Sequence, residues 1–183
     1  EHTYIYGCDE EQPGNFARVN RAASILKKEF PDVPLLTTSA DPTYGTDGKL
    51  SMINWFCPLT FNYNETQAAK ARNEGKKVWW YICAGVNFPS SYVETSAHEL
   101  RLLMGAMTAK FRPDGFLYYS ISLWNDLEPV TSDPFTSFNI ESFSRFHGDG
   151  MWVYPGPDGI PVPSIRLENF RDGLEDYAYV KIL

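Results

Sequence analysis

Strand-like and helix-like segments alternate along this chain, and the alternation limits its possible folds more than any other feature. Short apolar stretches rich in β-branched and aromatic residues predict strands at residues 4–8, 33–38, 53–58, 78–83 and 116–121. Amphipathic stretches predict helices at residues 16–30, 65–74 and 96–111, and a last helix from Pro163 and Ser164 to the C-terminus. Such alternation is typical of parallel strands joined by right-handed crossovers.

The chain length then limits which α/β architectures are possible. A (β/α)8 barrel takes ~250 residues and has eight strands, whereas this chain has 183 residues and about five strand signals. We predict one α/β domain over residues 1–183 that forms the C-terminal half of a (β/α)8 barrel, also called a TIM barrel. A small, complete doubly wound sheet is the alternative. The chain begins without Met and its first residues already have strand character, so we expect a piece of a longer protein or a mature fragment.

Composition argues against several classes of function. The net charge of −7 offers little to neutralise phosphates, so we expect no nucleic-acid partner. No stretch approaches the ~20 apolar residues of a membrane span, and no signal peptide is visible. Cys8, Cys57 and Cys83 are too widely spaced for a disulfide framework or a metal motif, and they are predicted to be small buried hydrophobes. No metal and no cofactor are expected.

Acidic residues follow directly after the first predicted strand. Asp9, Glu10 and Glu11 stand between the apolar stretch and a turn at Pro13 and Gly14. Because the carboxyl ends of parallel strands face the ligand crevice, acids at this position are well placed for acid–base chemistry. Asp9 and Glu10 are therefore the candidate catalytic residues. The alternative is that one of them caps the following helix, since acids are favoured in a first helical turn.

The residues after the other strands give the predicted rim polar and aromatic character. No histidine cluster, Gly-rich phosphate loop or Gly-x-Ser-x-Gly elbow is present, and acids, amides and aromatic rings alone suit a carbohydrate better than a nucleotide. An ordinary loop turn is the alternative for residues 124–126. The rim comprises Thr38, Ser39, Asp41, Cys57, Asn62 and the candidate substrate-binding residues Tyr81, Asn87, Tyr119, Trp124, Asn125 and Asp126.

The C-terminal part carries a long and unusual pattern. Residues 148–156 read GDGMWVYPG, and residues 163–177 read PSIRLENFRDGLEDY. This pattern resembles the C-terminal part of the glycoside hydrolase family 123 catalytic domain, also catalogued as a domain of unknown function. Residues 114–119 with Trp124, and the strand that ends in Asp9 and Glu10, fit the same family. The resemblance covers essentially the whole chain.

The resemblance implies a retaining, exo-acting β-N-acetylgalactosaminidase on a (β/α)8 barrel, usually preceded by a β-sandwich domain. It implies an adjacent Asp-Glu pair after the fourth barrel strand, which corresponds to Asp9 and Glu10, although Glu11 leaves the register of the pair ambiguous. The expected partners are a glycan substrate and the missing N-terminal half of the barrel or a partner chain. A bacterial, secreted or periplasmic protein is favoured. The alternative is a non-catalytic carbohydrate-binding or structural half-barrel.

Adjacent acids suit a substrate-assisted mechanism, in which the 2-acetamido oxygen of the sugar attacks the anomeric carbon. Glu10 would then protonate the leaving oxygen, and Asp9 would orient the acetamide and stabilise the oxazolinium-like charge. Neighbouring side chains point to opposite faces of an extended strand, so the backbone is expected to bend at residues 8–10.

The last helix is expected to be structural. Ser164 is a candidate N-cap. Arg166 or Arg171 is expected to pair with an acid elsewhere on the barrel, although a solvated charged face is the alternative.

Overall fold

The computed structural model describes residues 3–123, 146–156 and 160–183. Its contacts divide the chain into two compact units. The first unit consists of Glu1–Tyr81 and Pro113–Leu117, and the second of Ile82–Arg112 and Tyr118–Leu183. No helix within these described ranges has the length and apolar character of a membrane span.

Parallel strands in chain order form the sheet of the first unit. Strands β1 (Ile5–Tyr6), β2 (Leu35–Thr37), β3 (Trp55–Phe56) and β4 (Lys77–Val78) pair in parallel in that order. Directly after Trp79, β5 (Trp80–Tyr81) pairs in parallel with β6 (Phe116–Leu117). The five predicted strands are therefore confirmed as parallel neighbours, although each ladder is shorter than predicted and the fourth is divided at Trp79.

Two helices cover one side of this sheet. Helix α1 (Phe16–Glu29) follows a 3-10 turn at Pro13–Asn15, and α2 (Glu65–Asn73) follows a second one at Thr60–Asn62. Asn64 caps α2 by accepting a hydrogen bond from the Gln67 N–H. Gly75 follows the end of this helix at a φ of +79, because glycine enters the left-handed region without a Cβ clash.

The core of the first unit lies between these helices and the sheet. Apolar side chains of α1 and α2 pack against those of the strands, which removes their surface from water and stabilises the unit. The buried members of this cluster include Phe16, Val19, Ala23, Leu35, Tyr44, Leu50, Ile53, Phe56, Ala68, Ala71 and Val78.

The second unit is mainly helical. Helix α3 (His98–Leu102), a π-helical turn (Leu103–Met107) and α4 (Thr108–Phe111) together form the helix predicted at residues 96–111, which begins two residues later than expected. They pack against α5 (Ile165–Ile182). Strands β7 (Val153–Tyr154) and β8 (Val162–Pro163) form an antiparallel pair. The Ser164 side chain accepts from the Leu167 N–H, so its predicted role as the N-cap of α5 is confirmed.

The expected pairing of Arg166 or Arg171 with an acid elsewhere on the barrel is wrong. Arg166 is 3% exposed, and its guanidinium donates to the backbone carbonyls of Ser91 at 2.7 Å and Gly148 at 2.6 Å, and to that of Met151. Arg171 is exposed and pairs with acids of its own helix, among them Asp172 at 3.0 Å. A surface arginine meets the acids three and four positions away on its helix, whereas the buried one meets carbonyls of loops that the sequence pattern does not reveal.

Arg166→Ala should therefore lower the free energy of unfolding by about 3 kcal/mol or more, because buried carbonyls would lose their donors. Arg166→Lys should recover only part of that loss, since a single ammonium cannot reproduce the planar fork of the guanidinium. Arg171→Ala is the matched control and should change the melting temperature little. Thermal unfolding of the full-length variants measures the difference, and equal effects at both positions would contradict the assignment.

Candidate active site

The backbone bends sharply after β1, as expected from the adjacent acids. Cys8 has a φ of 59 and Glu10 a φ of 48, so two non-glycine residues on either side of Asp9 adopt the left-handed conformation. Each such residue costs about 1–3 kcal/mol and persists only where its surroundings impose it. The bend at residues 8–10 is therefore confirmed, and surrounding contacts must hold it in place.

Two hydroxyl groups hold the Asp9 carboxylate. Thr38, the residue directly after β2, donates from Oγ1 to Asp9 Oδ1 at 2.7 Å. Tyr6 of β1 donates from its phenol to the same oxygen. Burial and the adjacent Asp9 carboxylate raise the pKa of Tyr6 above its ordinary value, so its phenol remains a proton donor at neutral pH.

Glu10 is held by a different pair of contacts. Its backbone N–H donates to Thr38 Oγ1 at 2.9 Å, and its carboxylate accepts from the Tyr81 hydroxyl at 2.5 Å. Tyr81 is only 5% exposed and lies at the end of β5. A buried phenol with two rotatable side-chain bonds is a rigid anchor for one oxygen of a carboxylate.

The third acid of the sequence turns away from this pair. Glu11 accepts from Asn15 Nδ2 at 2.6 Å and pairs with Arg18, so its partners are the residue directly before α1 and a residue of the first turn of α1. Neither the turn at Pro13–Asn15 nor α1 has a side-chain hydrogen bond at its cap. The helix-capping alternative for Asp9 and Glu10 is therefore wrong. The contacts of Glu11 favour Asp9 and Glu10 as the pair.

A cavity of about 350 Å³ opens beside Glu10 at the carboxyl ends of the strands. Asp41 of its wall is 5% exposed and accepts from the Thr43 N–H and the Gly45 N–H at 2.8 Å and 2.7 Å, so this acid stabilises the loop after β2. The wall thus combines two carboxylates, two amides and several hydroxyls with apolar surface. The lining residues are Glu10, Gln12, Thr38, Ser39, Ala40, Asp41, Pro42, Tyr44, Pro58, Leu59, Asn62 and Tyr81.

Comparison with known proteins assigns the chain to a family. The sequence matches the family described as glycoside hydrolase 123, catalytic domain, over residues 1–183. The chain belongs to this family. Among curated proteins, no sequence matches it significantly.

A solved member of the glycoside hydrolase 123 family has a similar fold. It is a family 123 glycoside hydrolase from Clostridium perfringens, determined in a study of glycolipid glycan hydrolysis. The TM-score is 0.71 at 20% sequence identity, and the match covers 99% of this chain and 31% of that one. The chain thus spans about a third of the length of that relative, and the likeness establishes an α/β fold with parallel strands.

In this glycoside hydrolase 123 domain, the first unit brings together three of the predicted site residues, Asp9, Glu10 and Tyr81. Asn87 and Tyr119 belong to the second unit, where Asn87 is exposed and Tyr119 donates to the buried Asp149 at 3.0 Å. The other three, Trp124, Asn125 and Asp126, lie outside the described residues.

Sequence reasoning missed Tyr6, placed Thr38 on the rim without a role, and predicted three buried cysteines of which one is buried. Tyr6 and Thr38 contact Asp9, and the signal for the Thr38 contact is a hydroxyl directly after a strand that neighbours the acidic one. Cys57 is 1% exposed, and burial raises the pKa of its thiol, as fits a small buried hydrophobe; Cys8 and Cys83 are only partly buried. Within the described ranges, no cluster of three or more His, Cys, Asp or Glu side chains could hold a metal ion.

Proposed function

We propose that this domain forms part of a retaining, exo-acting glycoside hydrolase that removes terminal β-N-acetylgalactosamine by a substrate-assisted mechanism. One observation carries the proposal: Asp9 and Glu10 are adjacent in sequence, yet a left-handed bend gives each carboxylate its own anchor, while Glu11 pairs with α1. Membership of the glycoside hydrolase 123 family supports the same reaction class.

Adjacency of the acids favours participation by the substrate. Most retaining glycosidases place two carboxyl groups ~5–5.5 Å apart on either side of the sugar, one of them as the nucleophile. Two neighbouring residues at a strand end are poorly placed to flank a bond from opposite sides. A sugar whose own acetamide oxygen is the nucleophile removes that demand.

The first step forms a bond between the acetamide oxygen and the anomeric carbon and breaks the bond to the leaving oxygen. Glu10 gives its proton to that oxygen as the bond breaks. Asp9 accepts a hydrogen bond from the acetamide N–H and stabilises the positive charge of the cyclic intermediate. Both described donors to Asp9 approach Oδ1, so Oδ2 is the oxygen assigned to the acetamide.

The second step restores the enzyme. Glu10, now ionised, takes a proton from a water molecule while the water oxygen attacks the anomeric carbon. The bond to the acetamide oxygen breaks, and its electron pair returns to the acetamide. Two inversions at one carbon give net retention of configuration.

The remainder of the protein completes the sugar pocket in this proposal. The chain spans 31% of the solved relative, and β1 pairs with β2 alone among the described strands. Tyr4 and Tyr6 on and beside β1 are 36% and 43% exposed. A bare strand edge invites pairing, so we assign its cover to the N-terminal half of a (β/α)8 barrel.

Hydrolysis by the full-length protein tests this function. It should release 4-nitrophenol from the β-N-acetylgalactosaminide but not from the β-galactoside, because the galactoside lacks the acetamide nucleophile. The first product seen by NMR should be the β-anomer, and a thiazoline analogue of N-acetylgalactosamine should inhibit.

Cleavage of the galactoside as fast as the N-acetylgalactosaminide, or a lack of inhibition by the thiazoline, would refute substrate assistance. Glycan binding without any hydrolysis would instead support the non-catalytic alternative.

A further inference from the structure

We propose that Thr38 is a positioning residue for the hydrolysis, because its single hydroxyl sets the placement of both catalytic acids. The inference rests on the proposed function of Asp9 and Glu10. Thr38 Oγ1 lies 2.9 Å from the backbone nitrogen of Glu10 and 2.7 Å from Oδ1 of Asp9. One oxygen atom thus joins the main chain of the acid–base residue to the side chain of its neighbour.

The donor groups and their distances assign a direction to each of these hydrogen bonds. The Glu10 N–H can only donate, so Thr38 Oγ1 accepts from it. The Thr38 hydroxyl is also 3.1 Å from the Tyr6 phenol oxygen, but it donates its one hydrogen to the nearer Asp9 Oδ1, and the hydrogen of the Tyr6 phenol goes to the same carboxylate oxygen. The Glu10 N–H, the Thr38 hydroxyl and the Tyr6 phenol each have an acceptor when Asp9 is ionised. The proposed mechanism requires an ionised Asp9.

Strain in the bend explains why this hydroxyl matters. The Glu10 N–H lies past the end of β1, and a side-chain oxygen, Thr38 Oγ1, is its acceptor. Thr38 is 5% exposed, so water cannot easily replace its oxygen. Removing the hydroxyl would leave the Glu10 N–H without this acceptor and would free Asp9 Oδ1 from one of its two donors.

The neighbouring hydroxyls have a different role. Thr37 donates to the Cys8 carbonyl at 2.8 Å and bonds to Ser39 at 2.7 Å, so both support the backbone of the bend. In the described contacts of residues 37–39, it is the Thr38 hydroxyl that reaches a carboxylate of the pair. This separates positioning of the acids from general support of the loop.

The assignment is tested with variants of the full-length protein that remove or keep the Thr38 hydroxyl. Thr38→Val keeps the shape of the side chain and should lower kcat roughly 100-fold, because small misplacements of reacting groups have effects of this size. Thr38→Ser should retain most of the activity. Thr38→Ala, which differs from Thr38→Ser by the hydroxyl alone, should be as slow as Thr38→Val. Thr46→Val removes a part-buried hydroxyl that bonds to the Thr43 carbonyl at 3.0 Å and serves as the matched control with unchanged kcat.

Leaving-group dependence distinguishes positioning from loss of stability. Thr38→Val should slow hydrolysis of activated and unactivated glycosides, because Asp9 serves both. It should slow hydrolysis of the unactivated glycosides more, because Glu10 is displaced as well.

Unchanged kcat in Thr38→Val, or equal activity of the Ser and Ala variants, would overturn the proposal. Glu10→Gln and Asp9→Asn are measured in the same assay: if they lower activity and Thr38→Val does not, the positioning role alone fails. If they too leave activity unchanged, the proposed function fails, and with it the role of Thr38.

Discussion

Replacing Glu10 by Gln should reduce kcat/KM for glycosides with poor leaving groups by about 10²–10⁴-fold, the range contributed by a general acid. The amide cannot protonate the leaving oxygen, which therefore departs as an unstable alkoxide. Activated aryl glycosides barely need that proton, so the first step on them should be slowed much less. Steady-state rates of the full-length protein over a series of aryl leaving groups measure the difference as a steeper dependence on leaving-group acidity.

Glu11→Gln is the matched control for this experiment. It removes the adjacent carboxylate, which is held by Asn15 directly before α1 and by Arg18 in the first turn of α1. Its turnover should therefore stay close to that of the unmodified protein. If Glu10→Gln slows good and poor leaving groups equally, the role of leaving-group acid is wrong. If Glu11→Gln is instead the inactive variant, the register of the pair is shifted by one residue.

Asp9→Asn should slow all leaving-group classes by about 10²–10³-fold, as expected when a group that stabilises developing charge is removed. The neutral amide no longer offsets the positive charge of the cyclic intermediate. Its nitrogen can also face the Thr38 and Tyr6 hydroxyls, which at present donate to Oδ1. The ratio of rates for good and poor leaving groups should stay near that of the unmodified protein, in contrast to Glu10→Gln.

Asp47→Asn controls for the loss of one negative charge in the first unit. Asp47 is exposed and pairs with Lys49 at 2.9 Å, and it does not line the cavity. Full activity of this variant beside a slow Asp9→Asn would assign the effect to position 9. An Asp9→Asn variant that loses activity toward poor leaving groups alone would show that the roles of the two acids are reversed.

Local sequence chemistry was sufficient to predict much of the fold. Turn and capping preferences act over a few residues, and they account for the start of α1 at Phe16, the N-cap of α5 at Ser164 and the end of α2 before Gly75. Alternation of apolar strands and amphipathic helices predicted the parallel order of the strands, because short crossovers place consecutive strands side by side. That order also placed the acids after β1 at the same edge as the polar ends of the next strands.

Contacts between distant residues were decided by the tertiary structure alone. Glu10 meets a hydroxyl 71 positions away at Tyr81, and Asp9 meets one 29 positions away at Thr38. Arg166 reaches the Ser91 carbonyl across 75 positions. Propensity and periodicity describe neighbours along the chain and do not specify which side chains meet where strands and loops end.

The three consecutive acids show the same limit of prediction from sequence. By itself, the sequence determined that a run of carboxylates follows a strand and faces the carboxyl edge of a parallel sheet. It named Asp9 and Glu10 as the pair but left its register ambiguous, because Glu11 is a third carboxylate directly after the same strand. The tertiary structure separated them: the left-handed bend turns Asp9 and Glu10 toward hydroxyls from neighbouring strands, while Glu11 meets the cation and amide of the helix that follows.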